Sequence, residues 1–303
     1  MSEVRGLVVR AQSRRFTVWT EGRFVLALVP KRLRFENPDL VDPVAVGDTV
    51  RMSLRDDQGL ILSVDPRRNA LGREALGQAK RQVLAANVDL AVIVLSVAEP
   101  SWKPATLDRY LVLASASGIS ALICLNKADL DPSAALDPAL DVYRRLKIPV
   151  SVVSVTNGTG MDGLRILIAG KTVVLLGPSG AGKSSLMNRL VPGAEVRVGS
   201  VSVATGKGKH TTTWVEMHEL PGGGRLIDSP GLRALDLTGV LARDLALHFP
   251  EIESIAGPCR FLDCVHVAEP DCAVKRAVES GAMAPHRYES YRKIFESLGR
   301  GAG

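Results

Sequence analysis

One octapeptide limits what this chain can fold into: Gly177-Pro178-Ser179-Gly180-Ala181-Gly182-Lys183-Ser184, an unbroken G-x-x-x-x-G-K-S. The apolar run 173–176 leads into it, and residues 184–190 have helical character leading out. A strand, a glycine-rich turn and a helix in that order make the phosphate loop of an α/β sheet. The glycines let backbone N–H groups curl around phosphate oxygens at a helix N-terminus, where the dipole also favours anions. Lys183 is then placed to reach the β- and γ-phosphates and Ser184 to ligate Mg²⁺, with Ser185 beside them. A chance glycine-rich turn would not carry both flanking elements.

The surrounding pattern agrees. Residues 89–95 form a near-continuous apolar run, as in a parallel strand buried on both faces. Residues 121–125, 150–154 and 172–176 read as further strands and 107–115 as a helix, while 215–220 and 225–227 flank the hairpin signal Pro221-Gly222-Gly223-Gly224. Strands alternating with helices predict an open, mostly parallel sheet.

A phosphate loop does not choose a base, but Asn126-Lys127-Ala128-Asp129 does. It follows a buried strand, which sets it at the carboxyl edge of the sheet where ligands bind. The Asp129 carboxylate can accept from both N1 and N2 of guanine, a donor pair that adenine lacks. Leaving such a group unpaired is costly, so adenine is rejected and the expected ligands are GTP and GDP. Ser154-Val155-Thr156 is a weaker candidate for a second base-contacting loop.

Asp228-Ser229-Pro230-Gly231 follows the strand 225–227. Asp228 is placed to hold a Mg²⁺-bound water and the Gly231 N–H to meet the γ-phosphate. Between the two phosphate motifs lies the polar, glycine-bracketed segment 206–213, ending Thr211-Thr212-Thr213, suited to closing over Mg²⁺. Thr212, with Ser184 and Asp228, completes the expected magnesium set.

The ends of the chain read differently. To about Pro66 there are five short strands (4–9, 15–19, 24–29, 46–52, 59–64) separated by turn residues, which suit a small barrel of the oligonucleotide-binding (OB) type. Between positions 5 and 34 this section holds eight basic residues and one acid, Glu21, a charge balance that attracts polyanions. Pro66-Arg67-Arg68-Asn69 looks like a linker. From about Leu237 the chain is helical, interrupted by Cys259-x4-Cys264-x-His266-x5-Cys272. Three thiolates and an imidazole so closely spaced match one closed, tetrahedral, structural zinc site. Cys124, inside a strand, reads as a small core residue. The helix beyond the cluster repeats Tyr288, Tyr291, Ile294, Phe295 and Leu298 at the spacing of a packed face.

No apolar run approaches the roughly 20 residues that span a bilayer. The N-terminus lacks the apolar core of a signal peptide. The expectation is a cytoplasmic protein with no membrane partner, acting as a monomer.

The motif order is unusual. Small GTPases place the phosphate loop first and the guanine motif late; here residues 126–129 precede 177–184, and 228–231 come last. With that order, the N-terminal barrel, Asn87-Val88-Asp89, Asp108-Arg109-Tyr110-Leu111 and the Cys/His segment, the whole chain resembles the circularly permuted ribosome-assembly GTPases of the RsgA (YjeQ) family. The resemblance implies an OB-type barrel over 1–66, a circularly permuted GTPase domain over 76–236 and a helical zinc-binding domain over 237–303. It also implies a GTPase stimulated by the small ribosomal subunit, binding that subunit's rRNA and acting late in its maturation. A nucleotide-gated RNA-binding switch, with hydrolysis only as a reset, is the rival reading.

Many GTPases carry a Gln just after Asp-x-x-Gly to orient the attacking water. This chain has Leu232, which cannot do so. His210 is the titratable candidate in the preceding polar segment, and the resemblance points to the same position, so it is the expected catalytic residue.

Overall fold

The computed structural model describes residues 2–12, 14–55, 57–75, 80–193, 214–228, 237 and 239–299. Five strands form the N-terminal section: β1 (Ser2–Gln12), β2 (Arg15–Thr20), β3 (Arg23–Leu28), β4 (Thr49–Arg55) and β5 (Gln58–Val64), with the short helix α1 (Lys31–Phe35) between β3 and β4. They pair in the order β1-β2-β3-β5-β4, and β1 closes the ring on β4. This is the expected barrel. Its interior follows from strict alternation: Phe16, Val18, Val25, Ala27, Met52 and Ile61 all point inward and are buried.

The linker reading of residues 66–69 is only part of what lies there. A hairpin, β6 (Ala70–Glu74) and β7 (Arg81–Ala86), follows at once and bridges back to the barrel at Leu40 and Val46. Arg67 donates to the fully buried Asp48 carboxylate at 2.7 Å and to the Pro43 carbonyl at 2.8 Å, so the junction is pinned. Among its described residues only Leu71 and Leu84 are large core residues, in a hairpin otherwise mostly of small and polar residues, which is why periodicity does not reveal it.

The central section holds β8 (Leu90–Ser96), β9 (Ser120–Asn126), β10 (Val150–Val152), β11 (Thr172–Leu176), β12 (Trp214–Glu219) and β13 (Arg225–Asp228). Helices α2 (Pro104–Ala116), α3 (Pro138–Arg145), α4 (Met161–Ile168) and α5 (Lys183–Leu190) connect them. Spatial order is β10-β9-β8-β11-β13-β12, and among the described strands of this section only β12 is antiparallel to its neighbour. Every residue of β8 is buried, as its unbroken apolar run requires. The chain steps outward from β8 to β10, returns beside β8 as β11, then departs the other way to β13. That reversal puts a ligand crevice at the carboxyl ends of β8 and β11.

Strand β12 also pairs antiparallel with β1, matching Arg10 with Glu216 and Gln12 with Trp214. Barrel and α/β sheet therefore form one continuous sheet, of eleven strands among the described residues. The sequence offers no hint of this joint.

The C-terminal section comprises a 3-10 helix (Ala242–His248), α6 (Pro250–Ile255), α7 (Ala273–Glu279) and α8 (Pro285–Gly299). It is fastened to the α/β section by a buried charge cluster. Arg287 donates to Asp108 on α2 and, at 2.6 and 3.1 Å, to the two oxygens of Glu251 on α6. The Tyr143 hydroxyl donates to Asp108 at 2.8 Å, and the guanidinium also lies over the Phe249 ring. Among the described residues no helix is long and apolar enough to cross a membrane.

Candidate functional site

The sheet order brings the two principal motifs together. Residues 177–182 leave the end of β11, and 126–129 leave the end of β9, with β8 between them. Asn126 is buried at the tip of β9, and its Nδ2 donates to the Ala181 carbonyl at 3.1 Å, joining the loops across 55 residues of sequence. Its Oδ1 accepts from Val155 N at 3.4 Å, so one amide also ties in the third loop.

Two glycines of the phosphate loop are required by this packing. Gly177 has φ 137°, and a Cβ there would lie 2.1 Å from the Val94 carbonyl of β8. Gly182 has φ 90°, and its Cβ would lie 2.3 Å from Asn126 Nδ2. Neither position tolerates a side chain without moving backbone or the Asn126 contact. Behind Gly182 the helix α5 begins, with Leu186 N donating to Gly182 O at 2.9 Å. Lys183 folds across the loop, its ammonium donating to the Gly177 and Pro178 carbonyls at 2.6 Å each. Ser179 and Gly180 are exposed at the rim, while Pro178, Ser184 and Ser185 are half-buried.

The guanine motif is equally ordered. Ala128 N donates to Val153 O at 3.1 Å, and Asp129 is exposed with its carboxylate accepting from the buried Ser154 hydroxyl. Ser154 in turn accepts from Asn157 N at 3.3 Å. Position 154, the weaker candidate in the sequence, is thus the group that orients the Asp129 carboxylate. Lys127 has φ 63°, and its ammonium donates to the Glu99 carbonyl at 2.6 Å. That carbonyl belongs to the loop 96–100 after β8, which sequence reading missed. Pro100 of this loop faces Gly180, with its Cδ 3.1 Å from where a Cβ would stand. A loop that contributes backbone and proline contacts leaves no motif to find.

Asp228 ends β13, which runs parallel to β11, so its carboxylate emerges beside the strand that feeds the phosphate loop. A carboxylate and the Ser184 hydroxyl are hard oxygen donors of the kind Mg²⁺ takes. His210, Thr211–Thr213, Gly231 and Leu232 lie outside the described residues.

The Cys/His cluster forms as its spacing predicts. Ligand atoms of Cys259, Cys264, His266 and Cys272 all lie within 4.8 Å of one another. The Cys259–Cys272 sulfurs are 4.0 Å apart, and His266 Nδ1 is 3.6 Å and 3.5 Å from those two sulfurs. A tetrahedral zinc ion with ordinary bond lengths has S···S edges of about 3.8 Å and S···N edges of about 3.6 Å. The donor set and its edges therefore fit a metal ion, and the surroundings hold them in place. The Glu269 carboxylate accepts from Val265 N and Val267 N at 2.8 and 3.0 Å. Tyr288 and Tyr291 on α8 donate to the carbonyls of His266 and Val265 at 2.8 and 2.7 Å. The aromatic face of α8 packs as expected, and its hydroxyls also brace the ligand loop. Cys124 stands apart in β9, where complete burial pushes its thiol up to about 12. It is a core residue.

The basic character of the barrel is weaker than composition suggests. Arg5 pairs with Asp65, Arg10 with Glu216, Arg23 with Asp57, Arg32 with Glu36 and Arg34 with Asp42. Of the eight cations between positions 5 and 34, only Arg14, Arg15 and Lys31 make no ion pair with a described residue.

Comparison with known proteins follows the same lines. The model of the RsgA GTPase family matches residues 64–238. The chain is 41% identical over 304 residues to a small ribosomal subunit biogenesis GTPase RsgA of Gemmatimonas aurantiaca, covering 97% of each chain. To the protein of that name from Pseudomonas aeruginosa it is 46% identical over 243 residues, 79% of this chain and 71% of that one. The crystal structure of YjeQ from Thermotoga maritima superposes with a TM-score of 0.77 at 31% identity, covering 98% and 99% of the two chains. YloQ, described as a circularly permuted GTPase, gives 0.74 at 28% identity over 99% and 96%. On these grounds the chain belongs to the RsgA GTPase family and is a GTP-hydrolysing enzyme.

Proposed function

We propose that this GTPase acts in late maturation of the small ribosomal subunit, binding that subunit and its rRNA in the cytoplasm as a monomer. The observation that carries the nucleotide reading is the Asn126–Ala181 contact, which sets the base-reading and phosphate-binding loops at a fixed separation. In this reading GTP lies along the carboxyl edge of the sheet. Asp129, held by Ser154, accepts from guanine N1 and N2, and Asn126 and Lys127 shape the loop around the base. Backbone N–H groups of residues 177–184 cradle the phosphates, and the Lys183 ammonium exchanges its two carbonyl partners for phosphate oxygens. Ser184, Asp228 and Thr212 hold Mg²⁺, which offsets charge on the phosphates. Gly231 donates its N–H to the γ-phosphate.

Hydrolysis then has simple chemistry. A water oxygen attacks the γ-phosphorus, the bond to the β–γ bridging oxygen breaks, and GDP and phosphate leave. Positioning that water is the hard part. Leu232 has no polar group for it, so His210 is assigned the role. Residues 259–272 hold one structural zinc ion, and the sections 1–66, 76–236 and 237–303 serve respectively as RNA-facing barrel, GTPase and zinc-binding module.

Turnover measured with and without purified small subunits tests the proposal. The expected outcome is slow intrinsic hydrolysis, strong stimulation by subunits, and a loss of that stimulation by roughly 10²–10⁴-fold in His210→Ala, with GTP binding intact. Full stimulated turnover in His210→Ala removes the histidine from the mechanism. Turnover indifferent to subunits favours the switch reading instead.

A further inference from the structure

The outer face of the barrel carries an apolar stripe that the nucleotide chemistry does not use. Alternation along β2, β3 and β5 turns Trp19, Phe24, Leu26, Leu28, Leu60 and Leu62 away from the barrel core, and they are between 37% and 67% exposed. The strand registers make them contiguous. Trp19 stands opposite Phe24 and Leu28 opposite Leu60, with Leu26 and Leu62 on the rows between and beyond. The stripe thus runs diagonally over three strands, about 20 Å from Trp19 to Leu62 at the usual rise per residue. Soluble proteins rarely expose so continuous an apolar surface without a use for it.

Its two long sides carry cations unpaired among the described residues, while the acids near its ends are Glu21 in the β2–β3 turn and Asp57, which pairs with Arg23 at 3.1 Å. Arg15 lies beside Leu28 in the β2–β3 register, and Arg55 lies beside Gln58 in the β4–β5 register, on the opposite side of the stripe. Both are exposed, and neither makes an ion pair with a described residue. This separates them from the paired arginines elsewhere on the barrel.

We propose that this face docks an amphipathic α-helix of a protein partner, with an apolar ridge against the stripe and acidic residues on both sides of that ridge. About thirteen helical residues span 20 Å, which matches the stripe. A helix laid on a sheet face is an ordinary way to cover such a surface. Single-stranded RNA fits less well. Four of the six side chains are leucines with no π-face, and the two rings are already packed on each other at 4.6 Å between centroids. The cations sit outside the stripe rather than between stacking positions, as a base-stacking platform would need. A second copy fits poorly too, because a two-fold contact through this stripe brings arginine flanks against arginine flanks.

The test uses the full chain with GDP bound and two fluorescein-labelled fourteen-residue helical peptides, both with leucines at i, i+3, i+4 and i+7. One is flanked by Glu and the other by Lys. Anisotropy should show saturable binding of the Glu-flanked peptide, weakened ten-fold or more in Leu26→Ser/Leu60→Ser. Arg15→Glu/Arg55→Glu should invert the preference towards the Lys-flanked peptide, a result that misfolding cannot produce. Unchanged binding in both variants overturns the proposal. So does tight binding of labelled oligouridylate that both variants lose, which would make the face an RNA platform. A concentration-dependent dimer in sedimentation that the leucine variant abolishes would assign the face to a second copy, and equally overturns it.

Discussion

The two candidate sites of this molecule are built in opposite ways. The nucleotide edge draws Asn126, Ser154 and Ala181 from three loops, placed by the order of β9, β10 and β11 in a sheet that stands without them. The Cys/His cluster draws its ligands from one segment, Cys259 to Cys272, between α6 and α7, with little regular structure of its own. In the first case a sheet sets the residues; in the second one irregular segment brings them together, braced by Glu269 and the tyrosines of α8, and a bound metal ion would tie that segment. Damage should therefore separate cleanly into lost chemistry at one and lost structure at the other.

The largest effect is expected at the cluster. Binding of zinc to small closed sites of this kind is worth on the order of 10 kcal/mol, and that energy is folding energy. About one equivalent of zinc should accompany the purified protein. Cys272→Ser, or a strong chelator, should release it and expose residues 256–299 to protease, while GDP binding by the α/β section persists. Protein free of zinc yet resistant to protease over that stretch would break the comparison at once.

Next comes the base. Asp129→Asn leaves the Ser154 contact possible but replaces one guanine acceptor by a donor. The preference for GDP over other nucleotides should fall by ~10⁴-fold, about 5.5 kcal/mol, with a gain for xanthine nucleotides and no change in melting temperature. Competition binding with GDP, ADP and xanthosine diphosphate reads this directly. Displacement of GDP by ADP from the unaltered protein would remove the guanine assignment.

A third change probes the joint between the two regions. Arg287 is buried with Asp108 and Glu251. Arg287→Ala leaves Asp108 buried with its charge uncompensated, a loss of about 3–5 kcal/mol in unfolding free energy. Asp108→Leu/Arg287→Met should recover part of that, because apolar replacements remove both buried charges together. Urea unfolding of the three proteins decides it, and equal losses in the single and double variants would mean the cluster acts through shape alone.

That joint also marks where sequence reading stops. The phosphate loop, the guanine motif and the cysteine cluster are legible because each is a local pattern whose chemistry demands its spacing. The barrel strands are legible because their alternation is regular. Arg287 and Asp108 are 179 residues apart, and no periodicity connects them. The β1–β12 ladder is backbone pairing, which any side chains permit, so Arg10 opposite Glu216 is visible only in the folded chain. Charge pairing is hidden for the same reason. Arg34 counts towards a basic face in the sequence, yet in the fold it is half-buried against Asp42.

The smallest effect tests whether the nucleotide edge is as tightly fitted as its glycines imply. Gly182 combines a left-handed backbone, φ 90°, with a Cβ position 2.3 Å from Asn126 Nδ2. Gly182→Ala must either strain its own backbone or push the Asn126 amide off the Ala181 carbonyl. Either route costs about 1–3 kcal/mol. The free loops can shift to relieve that cost and must be brought back together when GDP binds, so it should appear as weaker GDP binding, roughly 5–150-fold, more than as a loss in global unfolding. Gly163 on α4 is the control, since it has no positive φ and nothing lies within 4 Å of its Cβ position. Gly163→Ala should leave GDP binding untouched and stabilise the protein by roughly 0.5–1 kcal/mol, the ordinary helix gain. If Gly182→Ala binds GDP as tightly as the unaltered protein, the two loops are not held at a fixed separation. The sheet then positions them only loosely, and the contrast with the Cys/His cluster fails on the nucleotide side.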